Sequence, residues 1–200
     1  MISKPKFKIG RRLGAGVYDT CQTPKFSASS GKFSGRGGRP KALTEYGTQL
    51  LEKQKIRFSY GITERQLSNY VKKASHIKGA GTAEKFYEEL ESRLDNVVYR
   101  MGLAGSRRAA RQMVSHGHFV VNSHKVTVPS FEIKPNDIVK IREGSKGKKI
   151  FDNLVEKMKD YNPPSWLSFD PVKMEGKILS KPKNTETFLD LNAVLEFYSR

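Results

Sequence analysis

The sequence predicts an α+β protein. A helical domain is interrupted by a small α/β module in which two helices pack on a short, mainly antiparallel sheet, and a basic N-terminal extension precedes both. Three observations carry this reading. Capped segments with apolar residues at helical spacing run from Thr44 to His116. After Gly117 the pattern changes to short runs of β-branched and aromatic residues. SASSGKFSGRGGRPK, residues 27–41, holds almost no core-forming side chains. The expected divisions are residues 1–43 for the extension, 44–91 with 184–200 for the helical domain, and 92–183 for the module.

Residues 1–43 are rich in Gly, Ser, Lys and Arg, and read as a solvated tail or one that orders on a partner. Thr44 is placed to cap a helix with Glu45 in its first turn, running through EYGTQLLEKQKIRF to a stop before Gly61. Thr63 and Gln66 have capping-box spacing and open a second helix with Leu67, Tyr70, Val71 and Ala74 as its apolar stripe. Thr82 starts the longest periodic segment, read as one helix whose inner face is Phe86, Leu90, Leu94, Val97, Val98 and Met101, closed by Gly102. Ser106 caps the next, about three turns long. Phe119, Val121, Val126, Val128, Ile138, Val139 and Ile141 mark strands, with a turn at Lys134–Asp137. Residues 152–160 read as a further helix, Trp166–Phe169 and Lys177–Leu179 as strands, and LNAVLEFY as a short apolar helix.

Charge narrows the function. The 200 residues carry 37 Lys and Arg against 20 Asp and Glu, a formal net charge of +17, with a hydrophobic fraction of 36%. A domain so charged repels itself and calls for a polyanionic partner. Nucleic acid fits. A membrane surface does not, because no basic amphipathic helix with a broad apolar face is evident and no run approaches the ~20 apolar residues of a span. The N-terminus lacks the apolar segment of a secretory signal; an Arg/Lys-rich transit peptide is the alternative to a nucleic-acid-binding tail. Cys21 is the only cysteine, so no intrachain disulfide forms, which suits a reducing compartment. No nucleophile elbow, P-loop or dinucleotide fingerprint is present: Gly14-Ala15-Gly16 and Gly79-Ala80-Gly81 lack the rest of such motifs. His116, His118 and His124 offer no complete zinc set, and no metal or cofactor is expected.

Wound at about 100° per residue, the helix from Ser106 sets Arg107, Arg108, Arg111 and Ser115 within an arc of roughly 100°, with Ala109, Ala110 and Met113 opposite. One face packs closely; the other is cationic. Arginine forks fit phosphate oxygens in fixed geometry, and a rigid helix of them reads phosphate spacing, which is RNA shape. Gly117 permits a tight corner, and Asn122-Ser123-His124-Lys125 forms a polar hairpin tip. Reversing Arg107, Arg108 and Arg111 to Glu is expected to abolish RNA binding and preserve the fold.

GSRRAARQMVSHGHFVVNSHKVTVPS, residues 105–130, closely resembles the compact RNA-binding module named after ribosomal protein S-four. EKQKIRFSYGITERQLSNYV resembles the helical segment preceding the module in the bacterial ribosomal family, and PSWLSFDPVKMEGKIL with the terminal LEFYSR resembles its tail. These landmarks occur in family order across nearly the whole chain. The resemblance implies a structural, non-enzymatic constituent of the cytoplasmic small ribosomal subunit, with an organellar ribosome as the alternative. It implies a primary binder of small-subunit rRNA that docks on a junction in the 5′ domain and nucleates its assembly. Its neighbours would be the small-subunit protein S-five and the path where messenger RNA enters, with a part in decoding accuracy; a homo-oligomer is not expected. The RNA-facing residues it implies are Arg107, Arg108, Arg111, His116, His118, Asn122 and Lys125, joined from the first domain by Lys53, Lys55, Arg57, Arg65, Lys72 and Lys73. Arg36, Arg39 and Lys41 fall where relatives place basic residues near the entering message. Some relatives bind zinc or an iron–sulfur cluster through N-terminal cysteines; this chain has only Cys21, which predicts the metal-free form. Two competing roles share the module: an enzyme such as a pseudouridine synthase or tyrosyl-tRNA synthetase, for which the flanks are too short, and a free-standing RNA chaperone or messenger-RNA regulator.

Overall fold

The computed structural model describes residues 5–26, 42–76, 81–152, 156, 158, 161–183 and 188–199. The chain divides into two compact units, Met1–Lys78 with Thr185–Arg200, and Gly79–Asn184.

In the first unit, α1 (Lys6–Leu13) is followed by single helical turns at Ala15–Val17 and Asp19–Cys21. The sequence reading made this stretch part of a tail. It folds because Ile9, Leu13 and Val17 recur every four residues and bury together against Leu51, Phe58 and Phe188. Gly10 gives way to Cys21: a Cβ there would stand 2.6 Å from the Cys21 sulfur. The many Lys and Arg between these apolar positions hid the stripe from a compositional reading.

α2 (Glu45–Ser59) starts as expected, the Thr44 hydroxyl accepting the Gly47 N–H at 3.2 Å. α3 (Glu64–Ser75) has both halves of its capping box: Thr63 Oγ1 accepts the Gln66 N–H and Gln66 Oε1 accepts the Thr63 N–H, each at 3.3 Å. A cap of this kind stabilises a helix by about 1 kcal/mol. Leu67, Val71 and Ala74 are buried along α3 while Tyr70 is half-buried. The C-terminal helix of the chain, Leu191–Ser199, packs on α2 and α3, with Gln49 Nε2 donating to Glu196 at 3.1 Å.

In the second unit the long periodic segment is two helices, α4 (Thr82–Glu91) and α5 (Leu94–Arg100), broken at Ser92-Arg93. Segment 129–133 causes the break by taking over backbone partners. The Leu94 N–H donates to the Phe131 carbonyl at 2.9 Å, the Asp95 N–H to Pro129 at 3.1 Å, and the Ile133 N–H to Ser92 at 2.8 Å. The apolar face survives the break: Phe86, Leu90, Leu94, Val97, Val98 and Met101 are all fully buried. α6 (Arg107–Ser115) follows, capped by Ser106, whose hydroxyl accepts the Ala109 N–H at 3.2 Å.

The sheet is antiparallel throughout, in the order β2-β1-β3-β5-β4, from β1 (Phe119–Val121), β2 (His124–Lys125), β3 (Ile138–Ile141), β4 (Leu167–Asp170) and β5 (Glu175–Ile178). β2 is only two residues long, so Val126 and Val128 lie beyond it and Val128 is exposed. Phe119, Val121, Val139, Ile141, Leu167 and Ile178 point to one side, where α5 and α6 cover them with Val97, Val98, Met101, Ala110, Met113 and Val114. Two helices on a short antiparallel sheet are the architecture the sequence predicts. Thr82–Glu91, which the sequence reading put in the helical domain, groups by contact with the sheet unit. The helix expected over 152–160 falls mostly outside the described residues. No described helix is long and apolar enough to cross a membrane.

Candidate nucleic-acid interface

α6 turns Ala110, Met113 and Val114 into the core and carries Arg107 and Arg111 on its edge, one turn apart. Arg108 is exposed, and Arg107 and Arg111 are half-buried. The second pair reaches back to α5 and to the end of α4, onto two carboxylates that are almost fully buried. Arg111 donates to Asp95 Oδ2 from Nε at 2.8 Å and from its terminal nitrogen at 2.7 Å. Arg93 grips the same carboxylate side-on, at 3.0 Å to Oδ1 and 2.8 Å to Oδ2. Glu91 is treated alike: Arg100 holds both its oxygens at 2.8 and 3.0 Å, and Arg107 approaches Oε1 at 3.8 Å. Arg107 is further fixed by the Asn96 side-chain oxygen at 2.7 Å and by the Tyr99 ring, whose centroid lies 4.6 Å from its guanidinium carbon. Four arginines therefore share two buried acids.

This arrangement changes what a charge reversal does. Glu at 107 or 111 would stand beside a buried carboxylate, so the triple reversal would damage the fold. Arg108 is the one of the three whose exposure suits reversal.

The corner after α6 is left-handed at Gly117, φ +70°, and a Cβ there would meet Lys125 Cε. His116 is exposed; its ring lies 6.0 Å from that of His118, which is turned inward and buried. His118 Nδ1 sits 3.0 Å from the Ser145 hydroxyl, with the Phe151 ring edge-on at 6.0 Å. Burial, then the charges of Lys148, His116 and Arg142, hold its pKa below the ordinary histidine value. At the hairpin tip Asn122 and Ser123 have φ of +46° and +73°. The Asn122 side chain donates to Asp137 at 2.7 Å and accepts the Ile138 N–H at 3.0 Å, tying the tip to the neighbouring turn. Lys125 is exposed.

In the first unit the expected cations separate into two kinds. Arg65, Lys72 and Lys73 are exposed along α3. Lys53 is buried, bonded to Glu64 at 2.8 Å and 4.3 Å from the centroid of Phe197. Arg57 bonds to Glu64 at 3.1 Å, and the Tyr198 hydroxyl donates to it at 2.7 Å. Burial works against the Glu64 carboxylate, but these three donors outweigh it and its pKa is lowered. Burial and the same hydrogen bond push the Tyr198 phenol up. Lys55 pairs with Glu52 at 2.6 Å. Arg36, Arg39 and Lys41 lie outside the described residues. Among the described residues no three His, Cys, Asp or Glu are placed to hold a metal ion.

Sequence reasoning missed Arg93, Arg100 and their two carboxylates, and the cations Arg142 and Lys148 beside His118. The Arg93-Leu94-Asp95 triplet was the available signal for the first group, since its ends are brought together across a helix start. No local signal marked the second.

Comparison with known proteins identifies the family. Residues 2–91 match the family described as ribosomal protein S4/S9 N-terminal domain, and residues 92–139 match the S4 domain. The chain is 43% identical over 198 residues to the small ribosomal subunit protein uS4 of Limosilactobacillus reuteri subsp. reuteri (strain JCM 1112), covering 98% of this chain and 97% of that one. It is 43% identical over 204 residues to the protein of the same name from Thermotoga petrophila, and 40% identical over 205 residues to that of Aquifex aeolicus, with the same coverages of 98% and 97%.

Proposed function

The chain belongs to the ribosomal protein S4 family, and on that premise we propose that it is a structural constituent of the small ribosomal subunit that acts by binding rRNA, with no catalytic step of its own. The near-full-length identity to uS4 proteins carries this reading. Chemistry supports it: a net charge of +17 and arginines held in fixed directions suit a prefolded polyanion.

The finer reading follows the family. The protein docks on a junction in the rRNA 5′ domain and nucleates assembly there. It sits in the cytoplasmic ribosome near protein S-five and where messenger RNA enters, and contributes to decoding accuracy. The RNA-facing set is Arg107, Arg108, Arg111, His116, Asn122 and Lys125 in the sheet unit, and Lys55, Arg57, Arg65, Lys72 and Lys73 in the helical unit. Arg36, Arg39 and Lys41 face the message. Lys53 in the helical unit and His118 in the sheet unit are buried, so each supports the cations of its own unit from within.

Gradient sedimentation tests the role. The tagged chain is expected to migrate with small subunits; accumulation near the top of the gradient would point to a free regulator. Filter binding of a 5′-domain transcript tests the surface, with Arg108→Glu expected to weaken binding and leave circular dichroism unchanged.

A further inference from the structure

We propose that Glu91 and Asp95 are positioning residues for RNA binding: each buried carboxylate is held by one arginine and fixes a second, so that α6 offers Arg107 and Arg111 as a preset pair of cations to successive phosphodiesters of one strand. The inference rests on the rRNA-binding reading above and names the chemistry of that site.

The geometry separates the two jobs. The Arg93 side chain is 3% exposed and grips Asp95 side-on, which offsets the acid's charge. Arg111, at 23%, is held by the same carboxylate and reaches the surface. Arg100 takes both oxygens of Glu91, whose side chain is fully buried, and Arg107 lies against the same acid with its Nε on Asn96. Among the described residues four guanidiniums meet on two carboxylates, and the two more exposed ones stand one helical turn apart on α6.

A free arginine has many rotamers to lose when it meets phosphate. Two free guanidiniums on one face also repel each other. Buried acids remove both costs in advance, and they do so only for a side chain with a fork of donors.

Charge counting makes the opposite prediction, and this allows a clean test. Asp95→Asn and Glu91→Gln each remove a negative charge near the RNA. On charge alone, both variants bind every RNA as tightly as wild type or more tightly. If the carboxylates position the arginines, affinity for a 5′-domain rRNA transcript falls about 2- to 10-fold in each variant, the cost of ordering one long side chain. Affinity for poly(U), which needs no fixed geometry, holds or rises. The comparison uses the full-length chain below its unfolding temperature, with near-ultraviolet circular dichroism checking the fold. Arg107→Lys and Arg111→Lys serve as second variants that keep the charge and lose the fork; both are expected to weaken transcript binding with the salt dependence unchanged. Transcript affinity equal to wild type in the two lysine variants, or undiminished in folded Asp95→Asn and Glu91→Gln, overturns the proposal. If Arg108→Glu still weakens binding in that case, the rRNA reading stands without it. If no variant in the set alters transcript binding, the rRNA reading of this surface is what has failed.

Discussion

Reversing Arg111 and reversing Arg108 are expected to have very different consequences, although the two residues are three apart on one helix. Arg111→Glu removes two hydrogen bonds to the buried Asp95 carboxylate, at 2.8 and 2.7 Å, and puts a second carboxylate near it. Breaking a buried ion pair costs about 3–5 kcal/mol. Two carboxylates ~4 Å apart repel by about 4 kcal/mol at the effective dielectric of a protein surface. Arg93 stays on Asp95 and offsets part of this, which leaves an expected loss of about 3–6 kcal/mol. Against a typical domain stability of about 5–15 kcal/mol, that is a large share. Arg108 is exposed, and its reversal is expected to cost no more than about 1 kcal/mol, the scale of a solvent-screened surface contact. At ~4–8 °C per kcal/mol for a domain this size, thermal unfolding should drop by more than about 10 °C in Arg111→Glu and by less than about 8 °C in Arg108→Glu. Differential scanning calorimetry on the two variants reads this directly. Equal unfolding temperatures would show that Asp95 does not depend on Arg111, and the network described above would lose its structural basis.

Two pH effects and one backbone effect are also expected. The lowered pKa of His118 means the fold prefers the neutral ring, so its contribution is full above the ordinary histidine value near 6.5 and is lost as pH falls from there toward the lower folded value. Denaturant midpoints should therefore decline with acidification through that window, and the decline should flatten in His118→Asn; identical profiles would contradict it. Glu64 is held ionised by Lys53, Tyr198 and Arg57, so its contribution is present above the ordinary carboxylate value and fades as pH falls through its lower folded pKa. Wild type and Glu64→Gln should accordingly differ at neutral pH and converge in acid, and a constant difference would refute the assignment. Gly117→Ala forces a side chain into a left-handed corner at φ +70° and against Lys125 Cε, with an expected loss of about 1–3 kcal/mol by chemical denaturation and weaker transcript binding, since the hairpin is re-aimed. An unchanged midpoint would show that the corner relaxes freely.

What the sequence revealed was local. The Thr44, Thr63 and Ser106 caps and the stripe Leu67, Val71, Ala74 depend on neighbours within one turn, and they appear where the spacing put them. The break at Ser92-Arg93 was not legible, because its cause is a segment almost 40 residues downstream that takes the backbone donors of Leu94 and Asp95. Lys53 read as a surface cation for the same reason: Glu64 lies across a turn, and Phe197 arrives from the end of the chain. Within the expected tail, Ile9, Leu13 and Val17 were visible at regular spacing, but the abundance of Lys and Arg around them argued for solvent. At the interface, helix geometry placed three arginines along one side of α6. It could not say that two of them turn inward to acids on two neighbouring helices.

That inward turn also answers an electrostatic difficulty within α6 itself. A helix N-terminus carries partial positive charge and favours acids, yet the first turn of α6 has no acid and begins Arg107-Arg108. Each misplaced cation costs about 0.3–1 kcal/mol in isolation. Glu91 and Asp95 supply, from the neighbouring elements, the negative charge that the first turn lacks. They can do so because the packed face of α6 presents a small residue: Ala110 is fully buried and lets α6 lie close enough for Arg107 to reach Asn96 and for Arg111 to reach Asp95. The small-residue face and the cationic face are thus two parts of one device. The first sets the distance between helices, the distance brings the arginines to the buried acids, and the acids hold the cations at a helix end, the arrangement that the proposed phosphate contacts require.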